Sequence, residues 1–166
     1  MCFQVISAIL NKGTNPVKKL LLHSSIMTSF AFLLLNSNLS LANKPGYTAP
    51  LEVEGATYIS TEQAKELFNK GTVFIDVRRK GHRNGGEHIP YAINISTKHQ
   101  LSEKALLKVI NKDDAAVFYC HGSKCPASSK GLKKAAKWGF NNLYYYRDGI
   151  DGWKDAGYPI AKDPKG

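Results

Sequence analysis

The sequence predicts an α/β fold built on a parallel sheet, because short apolar runs alternate along the chain with segments of helical periodicity. Two of the apolar runs, residues 72–77 (TVFIDV) and 115–119 (AAVFY), carry apolar side chains on both faces. Strands have this composition when helices cover both sides of their sheet. A helical pattern that ends at a glycine precedes the first run, and another follows the second. Strands that alternate with helices in this way are typical of a parallel sheet.

Five strands are predicted, at residues 56–59, 72–77, 93–95, 115–119 and 142–146. Each is a short run rich in apolar, β-branched or aromatic residues. The segment between the second and third strands, residues 78–87, is charged and rich in glycine. We therefore predict that it is a surface loop at the carboxyl end of the second strand.

Helices are predicted at residues 60–70, 101–110 and about 127–138, and a short final helix or turn is predicted at residues 150–156. The first begins at Ser60, because Ser60 and Gln63 have the spacing of a capping box, and a glycine follows its last residue. The second is indicated by apolar residues at helical spacing. The third can be capped by Ser128 or Ser129 and is ended by Gly139.

Residues 1–42 are predicted to be a secretory signal peptide that is cleaved from the mature protein. Two lysines precede an apolar run at residues 20–35, and small residues follow at the positions that a signal peptidase reads. A periplasmic location follows from this, and the alternative is an uncleaved membrane anchor facing the periplasm. After the signal we predict an extended lead-in at residues 43–55 and one folded domain at residues 56–162.

The charge of the chain limits the classes of partner. It carries 23 lysines and arginines against 13 acidic residues, a formal charge of +10. This balance favours small anionic molecules or an anionic surface. No basic stripe with interleaved aromatic residues is visible, so nucleic acid is not a predicted partner. No nucleotide-binding loop or flavin fingerprint is visible either, so no cofactor is predicted, and membrane contact is expected only through the signal segment.

The segment CHGSKCP, residues 120–126, joins a predicted buried strand to a predicted helix and holds both cysteines that follow the signal segment. Nucleophiles favour the carboxyl end of a parallel strand, where Cys120 stands. A helix amino end, successive loop amides and a cation all favour the reactive thiolate. Gly122 allows the backbone to turn, and Lys124 supplies charge. Cys120 is therefore the predicted nucleophile, and a buried inert cysteine is the structural alternative.

Three segments resemble those of the rhodanese family. FIDVRR at residues 74–79 and EHIPYAINI at residues 87–95 resemble its first signature, a strand ending in Asp-x-Arg followed by Gly-His-Ile-Pro-Gly-Ala. VFYC at residues 117–120 resembles its active-site segment. RDGIDGW at residues 147–153 and GYP at residues 157–159 resemble its carboxyl-terminal pattern. The three stand in the family's order, which makes the resemblance far more specific than one motif.

This resemblance covers residues 57–160 and implies a rhodanese-like parallel five-stranded sheet with helices on both faces. It also implies a sulfurtransferase in which Cys120 takes sulfur from a small anionic donor such as thiosulfate and holds it as a persulfide. The acceptor would be a thiol, cyanide or a protein thiol. Arg83 is a further cation that could face the donor. The substrate-binding residues are expected on the loop, at His121, Gly122, Ser123 and Lys124.

Cys125 departs from the family pattern, because Cys125 and Pro126 expand the loop by two residues. The second thiol could attack a persulfide on Cys120, or it could close a disulfide that protects or silences the site. A passive, packed Cys125 is the third possibility. Two alternative functions stay open: a dithiol/disulfide redox protein, and a catalytically idle module of the same fold that binds a partner. The docking surface of such a module would be the lysines of the third helix, although a solvated helix face is the favoured interpretation of Lys130, Lys133, Lys134 and Lys137.

Other chemistries receive less support from the sequence. Asp76 and Arg78 lie at a strand end and could support the site, but a structural ion pair is the favoured interpretation. No metal site is predicted from Cys120, His121 and Cys125, because the second cysteine pair of a structural zinc site is absent from the sequence. A phosphatase would need an arginine after the nucleophile to bind phosphate in bidentate fashion, and the loop offers only a lysine.

Overall fold

The computed structural model describes residues 46–164, which form a five-stranded sheet, a two-stranded sheet and four α-helices. The strands are β1 (Thr57–Ile59), β2 (Val73–Asp76), β3 (Glu87–His88), β4 (Ile93–Asn94), β5 (Ala116–Tyr119), β6 (Leu143–Tyr146) and β7 (Ala161–Lys162). The helices are α1 (Thr61–Asn69), α2 (Glu103–Leu106), α3 (Ala127–Lys137) and α4 (Gly149–Asp155). All five predicted strands are present, each one residue shorter at one or both ends.

The main sheet is parallel throughout and has the strand order β1-β6-β5-β2-β4. Strand β5 lies between β6 and β2, and all of its residues are buried. Because the strands are parallel, the segments that follow Asp76, Asn94 and Tyr119 meet at one edge of the sheet. This confirms the predicted α/β fold with its parallel five-stranded sheet.

Helices cover both faces of the sheet, as predicted. On one face, α2 and α3 pack against strand residues such as Ile75, with Leu132 of α3 fully buried. On the other face, α1 and α4 cover residues such as Phe74, with Trp153 of α4 fully buried. Alternate residues of a strand point to opposite faces, which explains why β2 and β5 are apolar throughout most of their length. The ring of Trp153 makes edge-on contacts with Phe68, Phe74, Tyr146 and Tyr158.

The limits of α1 follow the sequence signals. Ser60 Oγ accepts a hydrogen bond from the Gln63 amide, and Gln63 Oε1 accepts one from the Ser60 amide at 2.8 Å, so the capping box is confirmed. Gly71, just after the helix, has a φ of +78°, a conformation that L side chains rarely adopt. The predicted end of α3 at Gly139 has the same basis, with a φ of +85°.

The predicted helix at residues 101–110 is wrong over most of its length. Only Glu103–Leu106 is helical, and Ser102 caps it by accepting a hydrogen bond from the Ala105 amide. The amides of Val109 and Ile110 both donate to the carbonyl oxygen of Leu106, so the chain after the helix forms turns. The apolar spacing that indicated a long helix instead reflects burial against the sheet, since Leu106 and Ile110 are both in the core.

The predicted cap of α3 is also wrong. The helix begins at Ala127, directly after Pro126, so Ser128 and Ser129 lie within its first turn. Both serines are buried, and Ser129 Oγ donates a hydrogen bond to the carbonyl oxygen of Pro126 at 3.1 Å. Proline suits the start of a helix because its fixed φ matches helical geometry and no amide hydrogen is needed there.

The sequence does not predict the small antiparallel sheet of β3 and β7. Glu87 pairs with Lys162, and His88 pairs with Ala161. Strands of two residues carry no periodicity that a sequence pattern could reveal. This sheet joins the loop after β2 to the carboxyl-terminal residues of the described chain.

The predicted signal peptide and residues 43–45 of the predicted lead-in lie outside the described residues. Residues 46–55 contain no helix or strand and form one isolated bridge, between Val53 and Ala56. None of the helices between residues 46 and 164 is long and apolar enough to cross a bilayer.

Candidate active site

Cys120 directly follows the central strand β5, at the carboxyl edge of the sheet. Its side chain is almost completely buried, with the residue 1% exposed. Residues 121–126 form the loop that leads from Cys120 to the start of α3 at Ala127. The order of strand, cysteine, loop and helix is the order predicted from the sequence, at the sheet edge where parallel α/β folds bind ligands.

Helix α4 holds the beginning of this loop. The amides of Ile150 and Asp151 donate hydrogen bonds to the carbonyl oxygens of Cys120 and His121, at 3.0 and 2.9 Å. Gly149 makes this close approach possible, because a Cβ at its position would overlap both carbonyl oxygens. Gly149 also has a φ of +59°, which glycine adopts without strain. Helix α4 therefore positions Cys120 through the backbone.

The rest of the loop is held by the lead-in and by a turn of its own. The amide of Ala49, a buried residue, donates a hydrogen bond to the carbonyl oxygen of Ser123 at 2.7 Å. The amide of Cys125 donates to the carbonyl oxygen of Gly122 at 2.9 Å, which turns the chain back on itself. This turn brings Cys125 next to Cys120.

Four successive loop amides donate no hydrogen bond to another residue in the described part of the chain, those of His121, Gly122, Ser123 and Lys124. Successive free N–H groups favour an anion, and the amino end of the eleven-residue helix α3 adds partial positive charge beside them. These four residues are the ones predicted to bind substrate. Three of them are half-buried, while Lys124 is exposed.

Cys120 and Cys125 form a disulfide, with their Cα atoms 6.3 Å apart. His121 lies beside it, with Nδ1 3.9 Å from Cys120 Sγ and Nε2 2.6 Å from the carbonyl oxygen of His82. Because a carbonyl oxygen can only accept, Nε2 carries the hydrogen. In the neutral ring Nδ1 is then the proton acceptor, and it is the nitrogen that faces the sulfur.

Cys120, His121 and Cys125 place their potential metal-ligand atoms within 4.8 Å of one another. The two sulfur atoms are joined in the disulfide, and metals bind cysteine as the thiolate. Three ligands also fall short of the four that a structural zinc site uses. The donor set therefore fits a structural metal poorly.

A cavity of about 320 Å³ lies against the disulfide and is lined by both Cys120 and Cys125. Ser96 also lines it, and the buried Ser96 Oγ has no hydrogen-bond partner among the described residues. An unpaired buried hydroxyl is unusual and is often satisfied by a ligand or water. The cavity also has a basic lining, contributed by Arg78, Arg79, His82, Lys98 and Lys130.

A larger cavity, of about 790 Å³, lies against the same loop and has the opposite character. Cys125 lines it, Cys120 does not, and Lys124 is its only lysine or arginine. A hydrogen bond from the Ser60 hydroxyl lowers the pKa of Glu62, which keeps that carboxylate charged. Side-chain charge therefore favours an anion in the smaller cavity. The four free loop amides belong to residues that line the larger cavity, and of these residues only His121 also lines the smaller one. The acidic residues of the larger cavity are Glu62, Asp148, Asp151 and Asp155.

A buried ion network lies beside the smaller cavity. Arg78 binds both carboxylate oxygens of Asp76, at 2.9 and 2.8 Å, which agrees with the predicted structural ion pair. Burial alone would lower the pKa of Arg78, but the hydrogen bonds and charge of Asp76 outweigh it and raise that pKa. Arg83 lies 3.2 Å from Asp76 and 2.8 Å from Asp163. Arg83 is therefore part of this network and lines neither cavity, so the sequence-based expectation that it faces a donor needs correction.

Tyr119 precedes Cys120 and remains protonated. Burial foremost, and then the charge of Asp76, raise the pKa of its hydroxyl far above the usual value. Its hydroxyl oxygen accepts a hydrogen bond from the amide of Ile89 at 3.2 Å. Tyr119 thus links the end of β5 to the chain after β3, and it does not act as an acid or base at neutral pH.

Residues 60–156, more than half of the chain, match the family of the rhodanese-like domain. The chain belongs to the rhodanese-like domain family. It is 30% identical over 109 residues to the thiosulfate sulfurtransferase GlpE of Actinobacillus pleuropneumoniae serotype 7. That alignment covers 64% of this chain and 94% of the relative.

Solved structures share the fold of this rhodanese-like chain. The BH2092 protein of Bacillus halodurans is similar with a TM-score of 0.57 at 24% identity, covering 64% of this chain and 77% of that one. A rhodanese-related protein of Thermoplasma volcanium has a TM-score of 0.53 at 25% identity, covering 64% of this chain and 99% of its own. Both likenesses agree with the parallel sheet and the helices on its two faces.

Sequence reasoning missed one wall of the site of this rhodanese-like domain. Ser96 and Lys98 follow β4, and Lys130 lies in α3, where the sequence indicates a solvated or docking face and no contact with the site. The available signal is topological: in a parallel sheet, the segment after β4 reaches the same edge as Cys120. Using that signal would have required the strand order, which the sequence pattern alone does not supply.

Proposed function

We propose that this rhodanese-like sulfurtransferase moves sulfane sulfur from an anionic donor such as thiosulfate to a thiophilic acceptor, through a persulfide on Cys120. The observation that carries this proposal is the position of Cys120. It ends the central strand of the sheet and lines a basic cavity. The name of the relative from Actinobacillus pleuropneumoniae, a thiosulfate sulfurtransferase, supports thiosulfate as the donor.

The reaction begins once the disulfide has been reduced. The Cys120 thiol passes its proton to Nδ1 of His121, and the thiolate attacks the outer sulfur of thiosulfate. The sulfur–sulfur bond of the donor breaks, sulfite leaves with the bonding electrons, and a persulfide remains on Cys120. An acceptor thiolate or cyanide then attacks the outer sulfur of the persulfide and returns Cys120 to the thiolate.

The charges around the loop suit an anionic donor. The smaller cavity offers Arg79, Lys98 and Lys130 beside Cys120, while the larger cavity is acidic. Of the four residues with free loop amides, His121 lines the smaller cavity, and its amide can stabilise the negative charge of the persulfide. The proposed acceptor is a small thiol, a protein thiol or cyanide, since each is a soft nucleophile that can attack the persulfide.

Reduced protein incubated with thiosulfate and cyanide tests this proposal, with sulfite release as the measurement. We expect steady release by protein kept reduced with an excess of dithiol, and none by Cys120→Ser under the same conditions. Lys130→Gln should raise the thiosulfate concentration at half-maximal rate by about 3- to 10-fold, since it removes one cation from the cavity. Lys137→Gln, on the same helix but outside this cavity, should have little effect.

Two results would contradict the proposal. No sulfite from thiosulfate, together with no sulfur added to Cys120 by other anionic sulfur donors, would remove the sulfurtransferase function. If Lys130→Gln and Lys137→Gln changed the thiosulfate concentration at half-maximal rate equally, the donor would not bind in the basic cavity.

The disulfide favours a second candidate function, a dithiol redox protein in which Cys120 and Cys125 cycle between thiol and disulfide. The two functions differ in what the reduced protein does with a sulfur donor. A redox protein would exchange electrons with a dithiol partner and would release no sulfite from thiosulfate.

We also propose that residues 1–42 export this chain to the periplasm, as a cleaved signal or as a membrane anchor. The two lysines, the apolar run at residues 20–35 and the small residues at the cleavage positions support this. Amino-terminal sequencing of protein recovered from the periplasm should find a start at Asn43 for the cleaved form. Full-length protein found only in the cytosol would contradict export.

A further inference from the structure

We propose that Cys125 resolves the persulfide on Cys120, so that the protein releases the donor's sulfur as hydrosulfide and draws the electrons from a dithiol. This inference rests on the proposed function, because it needs a persulfide on Cys120. It assigns a further activity, the reductive cleavage of an anionic sulfane donor such as thiosulfate. It also assigns the structure's disulfide as the product of one turnover.

The loop is built to bring Cys125 to Cys120. The hydrogen bond from the Cys125 amide to the carbonyl oxygen of Gly122 turns the chain back toward the strand end. Helix α4 holds the carbonyl oxygen of Cys120, and Ala49 holds that of Ser123, so both ends of this turn are anchored. Cys125 Sγ therefore reaches Cys120 Sγ in the native backbone, as the disulfide demonstrates.

The resolving step balances without any external reagent. The Cys125 thiolate attacks Cys120 Sγ, the inner sulfur of the persulfide. The bond between the two cysteine sulfurs forms, and the bond from Cys120 Sγ to the outer sulfur breaks. The outer sulfur leaves with the electron pair as hydrosulfide, and a proton comes with it from the persulfide or from solvent. The sulfane sulfur is reduced, and the two cysteine sulfurs are oxidised to the disulfide.

A dithiol then returns the protein to its starting state. Its first thiolate attacks Cys125, because Cys120 is 1% exposed while Cys125 lines both cavities. This attack releases the Cys120 thiolate, and the second thiol of the reductant displaces Cys125 from the mixed disulfide. Each turnover therefore converts one donor and one dithiol into sulfite, hydrosulfide and one disulfide.

The two cavities separate the two substrates. The basic cavity contains Cys120 and attracts the anionic donor, whereas the acidic cavity contains Cys125 without Cys120 and disfavours that donor. A thiol reductant can reach Cys125 from the acidic side without crossing the donor's site. If Cys120 only carried sulfur from donor to acceptor, a second cysteine that lines both cavities would not be needed.

A single-turnover experiment tests this inference. Protein is reduced, freed of external thiol under anaerobic conditions and mixed with thiosulfate, and then sulfite, hydrosulfide and intact mass are measured. We expect equal yields of sulfite and hydrosulfide and a mass lower by two hydrogen atoms, at a rate independent of protein concentration. Cys125→Ser should release sulfite alone and should gain one sulfur atom, so its hydrosulfide yield falls to background.

The outcomes separate this inference from the proposed function. Wild-type protein that releases sulfite but keeps the added sulfur, with Cys125 still a free thiol, would overturn the resolving role and leave the carrier role intact. Equal hydrosulfide from wild type and Cys125→Ser would also overturn it. Release of neither product by both proteins would overturn the carrier role and the resolving role together.

Discussion

Asp76 determines how the chain after β2 is arranged beside the site. Its two carboxylate oxygens bind Arg78, and one of them also lies 3.2 Å from Arg83. All three side chains are buried, so each charge depends on the others for compensation. Arg83 also forms an ion pair with Asp163, and this pair joins the loop after β2 to the carboxyl-terminal segment. Arg78 lines the basic cavity, so this network supports one wall of the site.

Asp76→Asn should destabilise the fold strongly, because it leaves the buried Arg78 guanidinium without a countercharge and leaves Arg83 with Asp163 alone. We expect a loss of about 3–5 kcal/mol in the free energy of unfolding, measured by urea denaturation at neutral pH. Lys162→Gln is the control: Lys162 is 64% exposed and 3.4 Å from Glu87, and its loss should cost less than about 1 kcal/mol. Similar losses for the two variants would contradict the structural role of Asp76.

Among single residues, the sequence predicted the positions of those that lie at the end of a strongly apolar run. Cys120 follows a fully apolar run, and Asp76 with Arg78 ends another, so their position at the sheet edge could be inferred. Arg83 was suggested as a contact of the donor because it is a cation, and its actual partner, Asp163, is 80 residues away. A pairing at that separation depends on the tertiary fold and leaves no local signal.

Helix α4 is the element that connects the fold to the reactive cysteine. Its first amides bind the carbonyl oxygens of Cys120 and His121, and its Trp153 is buried under the sheet. A shift of α4 is therefore transmitted to the loop through two backbone hydrogen bonds. Gly149 is essential to this contact, because it combines a positive φ with the absence of space for a Cβ.

Gly149→Ala should impair both stability and sulfur transfer. The strained φ alone costs about 1–3 kcal/mol, and the overlap with the loop carbonyl groups adds to it. We expect the rate of sulfite release from thiosulfate to fall by at least about 10-fold, since a displacement of order 1 Å at the nucleophile is costly. Gly157→Ala is the matched control, with a φ of +72° and open space around it.

The control should lose stability through its φ and keep its sulfite release. Equal catalytic loss in the two variants would mean that Gly149 acts on stability alone. Measurement of both activity and urea unfolding on the same preparations distinguishes these outcomes.

Elements with strong periodicity or caps were predicted well, and short ones were not. The capping box of Ser60 and Gln63 and the glycines after α1 and α3 located two helices correctly. The length of the helix at 101–110 was overestimated. Turns that pack against the sheet also place apolar residues three or four positions apart, and this spacing resembles that of a helix. Strands β3 and β7 escaped prediction because each pairs over only two residues.

Across the whole molecule, the parallel sheet gathers distant segments at one edge. Cys120 follows β5, Ser96 and Lys98 follow β4, and Ala49 reaches the loop from the lead-in. The molecule thereby places a basic cavity and an acidic cavity against the same loop. The total charge of +10 gave no indication of this division, because it is a property of the folded surface.

The role of the second cysteine also belongs to this scale. The sequence showed that Cys125 expands the loop but left its function open, since spacing alone cannot say whether two sulfurs meet. The two sulfur atoms meet because hydrogen bonds from α4, from the lead-in and within the loop's own turn hold the loop in place. The central claim is that Cys120 carries the transferred sulfur, and Cys125→Ser is the protein in which that intermediate should persist.

The most direct test is peptide mapping by mass spectrometry of reduced Cys125→Ser protein after incubation with thiosulfate. One added sulfur should be found on the peptide that contains Cys120, and a thiol reductant should remove it. The account predicts no added sulfur when Cys120→Ser is treated in the same way. A thiosulfate-treated Cys125→Ser protein that releases sulfite yet carries no sulfur on Cys120 would contradict it.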